Sequence, residues 1–522
     1  VIGLEAAVVL GVAVLAGGLA QRWARIPAPW VWVIVGAGLS FVPTLHDVSL
    51  PPDVVLFIFL PALLYWESLN TSLQLIRYDA RVVALLSVGL VVATAAAVAG
   101  LGYLLGLALP VAIVLGAILS PTDATAVAAM APRLPRRLAS ILRGESLVND
   151  AGALALYTVA VAGVVAGHEI RPLEISLRFV YALVVGVATG LLVGFLLYLL
   201  RRIAGRPALD DVISILSPFV LFLPAALLEA SGVVAVVAGG LLLARLNPRV
   251  VSAASRTEGY GFWRASTQAI NGALFVLIGL QARSALATFL GDGWASVLTL
   301  AAAAAVAVFG IRLLWNVLMA PTIRLLDRRP SQRTRRASFR ARMVIAWGGF
   351  RGAVSLAAAL ALPLETASGA PFPGREAIIA VTFVVIVLTL FLQGATMPLV
   401  VRAARMAPDP AERDERRIAL TEPLERALEG LDDDAREAEA DDAVREYVRG
   451  TLSHELEHAR RPHPDADAHA EAKRELMLRA LRRRRRELIR LRNERRIDDG
   501  VMLDAQAALD YEELRLSDGR DG

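Results

Sequence analysis

Six ionisable residues lie within stretches otherwise too apolar to solvate them: Glu67, Asp123, Glu145, Asp150, Arg312 and Arg351. Charges in such surroundings are costly and mark a buried ion pair or a pathway for charge. The run Glu145-Ser146-Leu147-Val148-Asn149-Asp150 is the most informative. Ser146 and Asn149 are three positions apart and Ser146 and Asp150 four, so on a helix their oxygens share one face. A carboxylate beside an amide and a hydroxyl offers the oxygen ligands that a hard monovalent cation takes. Burial favours a protonated carboxyl group over an ionised one. A site able to hold either a proton or a cation, but not both, is the minimal chemistry of exchange. The same residues also suit a plain polar first turn that caps a helix.

Two further segments have the chemistry of an interrupted helix. In Ser120-Pro121-Thr122-Asp123 the proline removes a backbone donor and disfavours helix at the residue before it. Thr122 or Asp123 can then cap a new half-helix running through Met130. Gly348-Gly349-Phe350-Arg351-Gly352 places glycines and an arginine inside a second apolar stretch. Broken helices expose carbonyls and helix ends, which is how transporters coordinate small ions; a simple proline kink is the alternative at the first. Arg351 does not deprotonate and needs a carboxylate partner. Glu145 is the candidate, which leaves Asp150 as the free titrating group.

The elements that must position these residues span a membrane. Of 522 residues 56% are hydrophobic, and no charge interrupts 82–122, 179–200 or 377–401. Each run reaches the roughly 20 residues a helix needs to cross hydrocarbon. Hydropathy gives about thirteen spans, the last ending near residue 402. Arginines concentrate in loops after odd-numbered spans, as at Arg133, Arg136, Arg137 and Arg143, and from Arg324 to Arg342. Positive-inside bias places those loops in the cytoplasm, with the N-terminus outside and the C-terminus inside. The first apolar run lacks a basic leading segment, so no cleavable signal peptide is expected. The interrupted spans are the fifth and twelfth, corresponding positions in two halves, which points to inverted repeats about a central seventh span. The absence of cysteine removes disulfide, thiolate and iron–sulfur chemistry.

Residues 403–522 turn rich in Arg, Asp and Glu with leucines at helical spacing, as in a helical cytoplasmic tail. Leu478, Leu481, Leu488 and Leu491 form a loose apolar stripe suited to helix packing. His454-Glu455-Leu456-Glu457-His458 matches the zinc-protease pattern, with His463 and His469 nearby. It lies in a charged helix with no apolar pocket before it, so no enzymatic role is assigned and no resident cofactor is expected. Arg482 to Arg486 reads as a solvated helix face neutralised by acids such as Glu487 and Glu494, rather than as a site for lipid or nucleic acid.

At Phe59-Leu60-Pro61-Ala62-Leu63-Leu64, Ser120–Asp123, Gly144–Asp150 and Gly349-Phe350-Arg351-Gly352-Ala353-Val354-Ser355-Leu356, the chain resembles the monovalent cation:proton antiporter-1 family. That family includes NhaP-type bacterial Na⁺/H⁺ antiporters and animal Na⁺/H⁺ exchangers. Gln393-Gly394-Ala395-Thr396 resembles its last span, and the likeness covers roughly residues 1–402. The resemblance implies an all-α polytopic membrane protein of thirteen transmembrane helices. Two inverted six-helix repeats with crossed broken helices would form a core and a dimerisation domain in a homodimer. It also implies that Asp150 is the essential ion- and proton-binding carboxylate. Thr122, Asp123 and Ser146 would line the Na⁺ site, and Glu67 would contribute a third-span carboxylate found in some members. Glu145 and Arg351 would pair, and Arg312 would be structural. Asn149 stands where electrogenic relatives carry a second Asp, which implies electroneutral exchange; Ala62 departs from a proline common in the family. Oxygen ligands alone do not separate Na⁺, Li⁺ and K⁺. K⁺/H⁺ exchange and a cation channel are the rival functions.

Overall fold

A computed structural model describes residues 2–24, 26–42, 54–71, 73–74, 85–131, 134–167, 172–204, 207–290, 294–326, 338–405, 410–460, 464–494 and 496–517. These divide into two units, Val1–Pro408 and Asp409–Gly522. Apart from one isolated bridge between Glu365 and Pro371, the regular structure among the described residues is helical.

The first unit begins with α1 (Ile2–Ala24) and α2 (Ala28–Leu39). α3 (Leu60–Leu69) follows a π-turn at Val55–Phe59, and α4 (Leu90–Leu104) follows another at Leu85–Gly89. α5 (Leu109–Leu119) and α6 (Ala124–Met130) are the halves of one interrupted segment. Then come α7 (Arg136–Ala166), α8 (Pro172–Ala204), α9 (Pro207–Leu227), α10 (Gly232–Leu246), α11 (Ala253–Leu290) and α12 (Trp294–Leu326). α13 (Phe339–Trp347) and α14 (Ala353–Leu360) are the halves of a second interrupted segment. α15 (Arg375–Leu388) runs through a π-turn at Thr389–Gln393 into α16 (Gly394–Ala404).

Nine of these segments, among the described residues, are long and apolar enough to cross a membrane; Val8–Ala20, Ala28–Leu39 and Val55–Leu69 are shorter apolar helices. α4, α5, α7, α12 and α15 pack on one another around the two broken pairs. α3, α8, α9 and α10 form a neighbouring group, and α1, α2 and α11 another. α8 and α10 approach closely enough for backbone to meet backbone. A Cβ at Gly190 would overlap the Ala235 backbone, so only glycine lets these axes come so close.

The interruptions follow from local chemistry. Pro121 cannot donate to the turn before it, and α5 ends at Ser120. Asp123 then restarts the chain as the N-cap of α6. At the second interruption, Gly348 closes α13 and Gly352 immediately precedes α14.

The second unit holds α17 (Pro410–Glu437), α18 (Asp442–Arg460), α19 (Pro464–Asn493) and α20 (Asp499–Ser517). α17 packs on α18, and α19 on α20. In α19, Leu481 is fully buried and Leu478, Leu488 and Leu491 are partly covered, so the leucine stripe is a packing seam.

Candidate ion-binding site

The site forms where α7 passes the first interruption. The Asp123 carboxylate accepts hydrogen bonds at Oδ1 from the backbone of Thr125 at 2.9 Å and Ala126 at 3.0 Å, and from the Thr125 hydroxyl at 2.5 Å. Its own N–H donates to the Phe350 carbonyl at 2.8 Å, which ties the first interruption to the second. A Cβ at Gly352 would overlap this carboxylate, so glycine is what lets the two unwound segments cross.

α7 brings its polar face to the same place. Ser146 Oγ donates to the Thr122 carbonyl at 2.6 Å and accepts from Ala124 N–H at 3.3 Å. Asn149 Nδ2 donates to Thr122 Oγ1 at 3.2 Å. Three buried side-chain oxygens here stay without a hydrogen-bond partner: Asp123 Oδ2, Asn149 Oδ1 and Asp150 Oδ1. Buried oxygens are rarely left so, and a cluster of them calls for a ligand. Asp123, Thr122, Ser146 and Asp150 line a cavity of about 20 Å³, with Glu67 of α3 and Ser355 of α14 on its other walls. That is room for one particle the size of a water or a small cation.

The two arginines are placed differently from expectation. The expected pair of Glu145 with Arg351 does not form. Glu145, fully buried, is held by Arg312 of α12, whose two terminal nitrogens reach its two carboxylate oxygens. Arg312 also donates from Nε to the Ala346 carbonyl at 3.1 Å and from Nη2 to the Ile345 carbonyl at 2.9 Å, so it closes the C-terminus of α13. Arg351 instead donates from Nη1 to the carbonyls of Ser120 and Pro121. The physical reason lies in the breaks. Each leaves a helix C-terminus with orphan carbonyls and partial negative charge, and each draws the guanidinium that reaches it. Arg351 sits in the unwound segment that crosses α5's end; Arg312 sits on the helix that crosses α13's end. Arg351 N–H is fixed in turn by Thr389 Oγ1 at 3.1 Å, at the start of the π-turn before α16.

Charge-tracking along the sequence missed Asn271 of α11, Ser355 and Thr389. Asn271 lines the ion cavity and also a larger vestibule of about 370 Å³ that includes Trp66, Glu67, Thr71 and Arg143. Its mark in the sequence is a lone amide in Ala269-Ile270-Asn271-Gly272-Ala273, which carries no charge to set it apart from its apolar neighbours.

In the tail, Arg484 pairs with Glu512 at 2.7 Å, and Arg485 with Asp510 and Glu513. The acids that neutralise this basic run thus come from α20, whereas Glu487 and Glu494 pair with Arg490. Of the tail histidines, the side chains of His458 and His469, and all of His463, lie outside the described residues. Among the described residues, no group of three or more His, Cys, Asp and Glu is placed to hold a metal.

The chain is 42% identical over its whole length, and over 97% of the relative, to an uncharacterized Na⁺/H⁺ exchanger of Mycobacterium tuberculosis. It is 30% identical to a sodium, potassium, lithium and rubidium/H⁺ antiporter of Bacillus pumilus, across 79% of this chain and 64% of that one. Its fold matches the sodium proton antiporter of Methanocaldococcus jannaschii solved at pH 8, with a TM-score of 0.60 at 19% identity, covering 78% of this chain and all of the other. The family model for the transmembrane sodium/hydrogen exchanger matches residues 10–403. The chain belongs to the Na⁺/H⁺ exchanger family of monovalent cation:proton antiporters.

Proposed function

We propose that this chain exchanges Na⁺, or Li⁺, for H⁺ by alternating access at Asp150, and that the exchange is electroneutral. The observation that carries the reading is the ion-sized cavity lined by Asp123 and Asp150, each with an uncommitted carboxylate oxygen. Of the remaining charges nearby, Glu67 on the cavity wall keeps one charge state through the cycle in this reading, and the others are committed. Glu145 is neutralised by Arg312, Arg351 is bound to carbonyls, and Asp123 caps α6. Asn149 adds no charge, and the one lysine of the chain, Lys473, is in the tail. Asp150 therefore carries one proton or one cation at each crossing, and no resident cofactor takes part.

The wider architecture is part of the same proposal. Thirteen transmembrane helices in two inverted repeats place α5/α6 and α13/α14 at equivalent positions. The broad apolar faces of α8 and α9, largely uncovered within the unit, meet lipid and a second copy in a homodimer. Positive-inside bias puts Arg143, and with it the vestibule, on the cytoplasmic side of the cell membrane, so the site faces inward. Exchange in this setting serves pH and Na⁺ homeostasis. K⁺/H⁺ exchange is the second reading, favoured by the Bacillus pumilus relative named for four cations.

The test is purified protein in acidic-inside vesicles with a pH dye and Na⁺, Li⁺ or K⁺ added in turn. Cation-dependent proton flux without membrane current is expected, strongest with Na⁺ or Li⁺. Current without coupled proton movement would make the protein a channel, and flux driven by K⁺ alone would select the second reading.

A further inference from the structure

The ion cavity and the vestibule share four lining residues, Leu63, Glu67, Thr125 and Asn271, which together form the neck between them. Leu63 offers no polar side-chain atom. The Thr125 hydroxyl is committed to Asp123 Oδ1 at 2.5 Å. Glu67 brings a carboxylate. Asn271 brings the neck's one amide. It is half-buried on α11, followed by the buried run Gly272-Ala273-Leu274-Phe275, and has no hydrogen-bond partner among the described residues. Among the described residues it is also the single α11 residue that lines the ion cavity, which Asp150 of α7 lines too. An amide in such a place has both its donors and its acceptor free for what passes the neck.

We propose that Asn271 is a specificity-determining ligand for the transported cation. Its side-chain oxygen replaces part of the hydration shell as the ion moves from the vestibule to Asp150. This rests on the exchange reading, and it adds the point at which one cation is told from another. A neutral oxygen suits that role because it favours the cation without holding it against release. The smaller and more strongly hydrated the ion, the more it loses when one replacement oxygen is removed. Asn271 therefore raises affinity for Li⁺ and Na⁺ more than for K⁺.

The experiment compares wild type with Asn271→Ala, Asn271→Leu and Asn271→Asp. Equilibrium binding of Li⁺, Na⁺ and K⁺ is measured by calorimetry in detergent, and exchange kinetics in vesicles, with thermal unfolding as the check on folding. Asn271→Leu keeps the approximate volume without the oxygen; Asn271→Asp keeps the oxygen. Loss of one ligand oxygen should weaken Na⁺ binding and raise the Na⁺ KM by about 5–20-fold in both Ala and Leu variants. K⁺ should change less, the maximal rate should stay within about twofold, and Asn271→Asp should retain Na⁺ affinity. Unchanged Na⁺ affinity in the Leu variant, or a fall in maximal rate alone, would overturn the assignment. Because binding is read at equilibrium, the assignment is tested even if wild type moves no protons against Na⁺, a result that would overturn the exchange reading alone.

Discussion

The two helix interruptions share one device and differ in another. Both leave a half-helix whose last carbonyls are clasped by a buried arginine: Arg351 at the end of α5, Arg312 at the end of α13. They differ in how the next half-helix begins. α6 starts from Asp123, whose carboxylate takes three hydrogen bonds, whereas α14 starts from Gly352 with no side-chain cap. The uncapped end of α14 lines the same cavity as Asp123 and Asp150, and a helix N-terminus favours negative charge. One break thus supplies the acid; the other supplies the room and the positive end that tolerate it. A broken helix is therefore not an ion site by itself. The clasp is structural and common to both, and the ion chemistry arises where the halves meet α7.

That division of labour can be broken piece by piece. The largest effect is expected from Asp150→Asn, which should reduce exchange to background while leaving thermal unfolding within a few degrees of wild type. Robust cation-driven proton flux in this variant would remove Asp150 from the mechanism. Next is the Arg312 clasp. Removing either partner of a buried pair strands a charge, so Glu145→Ala and Arg312→Ala should each destabilise the membrane unit by about 3–5 kcal/mol. The cycle should show strong coupling between Glu145 and Arg312, and weaker coupling between Glu145 and Arg351; denaturation of the four variants of each cycle gives both numbers. Additive effects for Glu145 and Arg312 would refute the clasp.

Gly352→Ala sharpens the other side of the comparison. The new Cβ must displace the Asp123 carboxylate, at an overpacking cost of about 1–3 kcal/mol, and exchange should fall far more than stability does. Wild-type exchange by this variant would show that the crossing is looser than it looks. The smallest effect belongs to the tail. Arg485 pairs with Asp510 and Glu513 in partly exposed positions, where ion pairs contribute little. Arg485→Ala in the full chain should lower amide protection in α20 by less than about fivefold, as read by hydrogen exchange.

The sequence made the breaks legible because their causes are local: Pro121 in one, Gly348, Gly349 and Gly352 in the other. It also made the α7 face legible, since the spacing of Ser146, Asn149 and Asp150 fixes a shared side whatever surrounds it. The arginine pairing was not legible. Arg312 and Arg351 are equally apolar in context, and which one reaches Glu145 depends on how α12 crosses α13. Asn271 escaped because a neutral amide carries no charge to stand out in an apolar stretch, and only the packing of α11 against the site gives it meaning. The tail acids that meet Arg484 and Arg485 lie 25–28 positions away on α20, beyond the reach of helical spacing rules.

The central claim is that Asp150 holds a proton or a cation and never both. Calorimetry of Na⁺ binding in buffers of different ionisation enthalpy counts the protons released per ion bound, at a pH where the unliganded site is protonated. Wild type should release about one proton per Na⁺, and Asp150→Asn none. Na⁺ binding by wild type with no proton release, or unchanged release by Asp150→Asn, would contradict the account.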